Sequence, residues 1–142
     1  MIRSLVLAAV AVLLTISAAV AGDVWYYDHN GSVVALEWDD DGGDGFTIYY
    51  VDPKPGLPNY VGYGTVLFEG ASPANGSIYG TAHSFSSKCG TSNYEVNGHF
   101  IGEGRDIYLA GPAPILNEKT CRDIRLSMDS RNARLRFNYL DY

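Results

Sequence analysis

One pair of residues, Asn30–Gly31, does most to constrain what this chain can fold into. A two-residue type I′ turn needs positive φ at both central positions, and Asn followed by Gly meets that need with little strain. The segment YYDHNGSVVALEW (26–38) then folds back on itself. His29 faces Ser32, Tyr27 faces Val34 and Trp25 faces Leu36. Trp25, Tyr27, Val34, Leu36 and Trp38 share one face, because side chains alternate along a strand. This register predicts that His29 sits at the hairpin mouth beside solvent, so Asp28–His29 reads as the flank of a turn rather than a catalytic pair.

The remainder carries no helical period. Strand patterns recur at intervals near ten residues, separated by Gly, Asn, Asp and Pro. Sixteen glycines and eleven tyrosines suit such a chain, since turns need positive φ and half-buried strands favour amphipathic aromatics. FTIYYV (46–51), TVLFEG, SIYGTAHSF, NYEVNGHF and DIYLAG read as strands. PKPGLPNY (53–60) holds three prolines and reads as a connection, because proline cannot donate to a central ladder. The stretch from Cys121 to Leu140 reads as a last hairpin, with Ile124, Leu126 and Met128 paired against Ala133, Leu135 and Phe137. Eight or nine antiparallel strands predict an all-β fold, a small barrel, with a two-sheet sandwich as the alternative.

Residues 1–21 read as a signal peptide: Arg3, the apolar run LVLAAVAVLLTI, and AVA before a cut after Ala21. Residues 22–142 then form one β domain, exported to the periplasm or secreted, with no second apolar stretch for a membrane span. That domain holds nine Lys and Arg against sixteen Asp and Glu, an acidic balance that disfavours nucleic acid. Its two cysteines, Cys89 and Cys121, are expected to form a disulfide, as an even count in an oxidising compartment does.

The candidate chemistry is sparse. His29, His83 and His99 are the obvious bases, and no spacing among them aims two rings at one metal. No G-x-S-x-G serine turn occurs, and no cofactor motif is present. DDDGGDG (39–45) gathers carboxylates on a Gly-rich turn, the oxygen-rich setting that Ca²⁺ favours, but reads more simply as a solvated hairpin end. Charge is uneven: residues 23–69 hold nine acids and one Lys, whereas 105–136 hold seven bases and four acids. In the last hairpin Arg125 would lie directly across from Arg136, with Arg134 nearby. Like charges opposed in this way cost stability, so either an internal carboxylate or an external anion or acidic partner should neutralise them.

YYDHNGSVV, GTVLFEG, GTAHSFSSKCG with YEVNG, and LAGPAP before Cys121 together resemble a small exported domain of alphaproteobacteria. The same domain is associated with segments C-terminal to caspase-like peptidase domains. The shared motifs are turn glycines, core aromatics and cysteines, so the resemblance implies a shared fold and no peptidase chemistry. The expected function is binding, by an exported or envelope-associated module whose partner is an envelope or extracellular protein or an anionic ligand. The alternatives are an inhibitor of a secreted hydrolase, which would reach its target with DPKPGLPNY (52–60), and a hydrolase with a dispersed catalytic site.

Overall fold

The computed structural model describes residues 23–103 and 105–142, with residues 123 and 124 described by their backbone alone. The segment read as a signal peptide lies outside them. Ten strands and no helix occupy the described residues: β1 (Val24–His29), β2 (Ser32–Trp38), β3 (Gly45–Asp52), β4 (Val66–Ala71), β5 (Ser77–Ser86), β6 (Gly90–Ile101), β7 (Asp106–Ala110), β8 (Ala113–Asn117), β9 (Arg122–Ser127) and β10 (Arg134–Tyr139). Eight of them close a barrel in the order β1-β10-β7-β6-β5-β4-β3-β2, and β8 and β9 form a separate two-stranded sheet. The architecture is the barrel rather than the sandwich.

The first hairpin has the expected register, with Trp25 opposite Leu36, Tyr27 opposite Val34 and His29 opposite Ser32. Asn30 and Gly31 take φ of 52° and 88°, as a type I′ turn requires. Tyr27, Val34 and Leu36 point inward and are fully buried. They pack with Phe46, Ile48, Phe68, Val96, Ile107, Leu109 and Phe137 from the other strands. Gly70 and Gly80 oppose each other across β4 and β5. A Cβ on Gly70 would stand 2.4 Å from Phe68 Cζ and 2.2 Å from the Tyr79 carbonyl oxygen. The two missing side chains thus let the Phe68 ring lie against the sheet.

The last hairpin is corrected. β9 pairs with β8, and β10 inserts between β1 and β7 to close the barrel. Arg125 stands opposite Ile115 and Arg136 opposite Tyr108, so the two guanidinium groups do not face each other. Leu126 is 59% exposed and Met128 37%, outside the barrel core. Alternation in sequence assigned each strand its faces but not its partner. The strand missing from the sequence reading is β8, which contains Pro114. A two-stranded sheet has only edges, where proline is tolerated.

Residues 111–133 are therefore an excursion between β7 and β10, closed at its base where Gly111 N donates to the Ala133 carbonyl (2.9 Å). The Cys89–Cys121 disulfide, with Cα atoms 5.1 Å apart, ties it to the β5–β6 turn. Lys88 and Glu118 form an ion pair beside it, 3.8 Å apart.

Candidate functional site

The two ends of the barrel differ. At one, Trp25, Trp38, Phe46, Phe100 and Tyr139 interlock, with ring centroids 5.1 Å apart for Trp38 and Phe46 and 6.0 Å for Trp25 and Trp38. The other is a mouth. His29 ends β1, Ser32 begins β2, and Ser84 lies near the end of β5. Tyrosines apart, these are the three buried polar residues among the described residues, and all three line one cavity of ≈ 450 Å³. Tyr50, Leu67, Tyr94 and Leu135 complete its inner wall, and Lys54, Leu57, Arg131 and Asn132 reach it from the connecting segments.

His29 is buried, contrary to its expected place beside solvent. Closure of the barrel through β10 covers it: the ring stacks on Phe137 with centroids 4.6 Å apart. Its Nδ1–H donates to the Arg136 carbonyl oxygen (2.9 Å), since a carbonyl can only accept. Nε2 is left as an acceptor, 3.5 Å from the Asn30 amide nitrogen. Burial holds its pKa below the ordinary value of 6.5, with the Lys54 charge helping; the Arg136 hydrogen bond and Asp28 oppose them. The ring is therefore neutral at pH 7. Asp28 is not its partner, because that carboxylate accepts from Gly31 N (3.2 Å) and caps the turn.

The tyrosines of the mouth are neutral too. Burial pushes Tyr50 up to about 12, and burial with the nearby Tyr50 does the same to Tyr94. The Tyr94 hydroxyl donates to the Asn132 carbonyl, which anchors the base of the excursion. The Ser32 hydroxyl accepts from Lys54 N (3.0 Å), leaving its own proton free to donate.

The 52–60 segment is held to the barrel at three points. Leu57 packs against the core, Lys54 N is held by Ser32, and the Tyr60 hydroxyl donates to the Ser86 carbonyl (2.9 Å). Leu57 is the residue of this segment that packs inward, while Lys54, Pro55, Gly56, Asn59 and Tyr60 stay exposed.

His83 also lines the cavity. Its Nε2 is buried without a hydrogen-bond partner, and the Glu69 carboxylate is 3.9 Å away, too far for a hydrogen bond. His99 is exposed on the outer wall near Tyr108, so two of the three histidines line the cavity and the third does not. Arg134 and Arg136 are exposed on the outer face of β10. Arg134 donates to the Met128 carbonyl (3.0 Å) and Arg136 to Asn138 (3.2 Å), so both guanidinium groups are engaged. Arg125 belongs to the separate sheet. Arg125 is thus not the cross-strand neighbour of Arg134 or Arg136. Asp39–Asp44 lie at the β2–β3 connection, and among the described residues no three acidic, imidazole or thiol groups converge as a metal site needs.

Sequence reasoning missed the mouth as a site. Ser32 and Ser84 sit at inward positions of their strands, and a polar residue at an inward position was the available signal. Comparison with family models, curated proteins and solved structures finds no match to this chain. The class rests on the fold and the site: a disulfide-bonded, eight-stranded antiparallel barrel with one aromatic end and one polar end.

Proposed function

We propose that this protein is an exported binding module, periplasmic or secreted, that takes its ligand at the polar mouth and does not turn it over. One observation carries the reading: tyrosines apart, the three buried polar residues among the described residues, His29, Ser32 and Ser84, line the same cavity at the same end. Burying a polar group is costly unless something hydrogen-bonds it, so clustered polar groups in a barrel mouth are the usual form of a small-molecule site. An eight-stranded barrel has an interior just wide enough for side chains or one small ligand. The disulfide supports an oxidising compartment. Against the hydrolase alternative, Asp28 is committed to the turn and His29 Nδ1 to a backbone carbonyl.

Native mass spectrometry of protein isolated from its own compartment tests this. Small-molecule adducts are expected, and Ser84→Trp, which fills the mouth, should lose them. Turnover of any ester, amide or glycoside substrate, abolished by His29→Gln or His83→Gln with the fold intact, would overturn the reading in favour of an enzyme.

A further inference from the structure

We infer that the mouth takes a small organic anion, a carboxylate or phosphate head on an apolar body of about one ring. This rests on the binding reading above and adds the class of ligand. The domain is acidic, yet no Asp or Glu lines the mouth cavity, whereas Lys54 and Arg131 both do. Neither cation forms an ion pair among the described residues. Both are exposed, so they mark the rim rather than the interior.

The depth of the cavity has a different character. Its buried lining is uncharged: Leu67, Leu135, Tyr50 and Tyr94 stand beside the hydroxyls of Ser32 and Ser84, and His29 is neutral there because its burial opposes a charge. A buried anionic head would find no countercharge at that depth, and burying an unpaired charge is prohibitive. The head therefore stays at the rim between Lys54 and Arg131, where a guanidinium fork matches the oxygens of a carboxylate or phosphate. The body enters against the aliphatic and aromatic walls. A volume of ≈ 450 Å³ lies at the lower end of ordinary small-molecule sites and suits a body of about one ring.

The neighbouring cleft limits where the head can go. It has ≈ 670 Å³, is continuous with the mouth through Gly56, Leu57, Ser84, Phe85, Arg131 and Asn132, and adds Glu118, which Lys88 already pairs, and Asp129. Asp129 would repel an anion there. The inner mouth is the acid-free part.

The test uses the oxidised protein and four probes of one ring: benzoate, phenyl phosphate, benzyl alcohol and benzylamine. Titrations are followed by amide shifts in ¹H–¹⁵N spectra. The two anions should shift Ser32, Ser84 and Leu135 saturably, and benzyl alcohol should bind about ten-fold more weakly, the loss of one charge-assisted contact. Benzylamine should bind weakest. Lys54→Glu with Arg131→Glu should weaken the anions at least as much, while Arg134→Glu with Arg136→Glu on the outer wall should leave them unchanged. If the alcohol or amine binds the mouth as well as the anions, the anion assignment falls and the binding module stands. If no probe shifts the mouth, the binding reading falls with it. Anion shifts confined to β10 and lost in the Arg134, Arg136 variant would move the anion site to the outer wall and overturn the inference.

Discussion

The two ends of this barrel are made by the same strands and behave as opposites. The aromatic end is joined by short connections, residues 39–44, 72–76 and 102–105, and filled with interlocking rings. The Arg105 guanidinium covers the last of these, 5.0 Å from the Tyr139 ring centre. The polar end carries the long connections, 53–65 and 111–133, and buries hydroxyl and imidazole groups beside its rings. One end supplies cohesion and the other supplies a surface that can be changed without unfolding the barrel. Scaffolds that bind on their loops share this division.

The sharpest way to break the comparison is to truncate one side chain at each end. Phe46→Ala should cost roughly 3–5 kcal/mol, since Phe46 is almost fully buried in the aromatic cluster. Ser84→Ala at the mouth should cost less than about 1.5 kcal/mol. Urea denaturation of both variants decides this, and equal losses would show that the two ends are not distinct.

The disulfide comes next. Joining residues 32 apart, it should contribute roughly 3–4 kcal/mol in the chain-entropy model. Cys89→Ser with Cys121→Ser should release the excursion first, so hydrogen exchange should quicken in β8 and β9 before β1–β3. Uniform quickening would mean that the excursion and barrel open together.

The turn at the mouth is a smaller effect. Gly31→Val puts a β-branched residue at φ of 88° and should destabilise by about 1–2 kcal/mol. Gly56→Ala, at positive φ in the 53–65 connection, should cost less, because its Cβ would meet nothing. A thermal-melt series orders the two.

Acid should act on the mouth alone among these sites. The folded-state pKa of His29 is lowered, so on acidification the unfolded chain binds the proton first. Its contribution is complete above the unfolded value near 6.5 and is lost as pH falls below it toward the folded value. The melting temperature should drop between pH 7.5 and pH 5, with a shallower slope in His29→Gln. An unchanged slope would remove His29 from the account.

Much of the barrel was legible because period two is written locally. Each of Tyr27, Val34, Leu36, Ile48 and Phe137 is inward in the structure and alternates in the sequence. The pairing of β9 was not legible. Leu126 and Met128 alternate as inward residues would, yet they are exposed, because β9 joins a sheet outside the barrel. His29 was misplaced for a related reason. The hairpin alone leaves it open, and only β10, more than a hundred residues later, supplies Phe137 and the Arg136 carbonyl that cover it.

By itself the sequence determined the strand class, the Asn30–Gly31 turn with its register, and the even cysteine pair. Each depends on interactions between near neighbours or on composition. Only the tertiary structure decided which strand closes the barrel, where the 111–133 excursion docks, and which polar residues end up together. Closure pairs residues far apart in the chain, and alternation supports several such pairings equally well. The choice among them is made by total burial, and that same choice brings His29, Ser32 and Ser84 into one mouth.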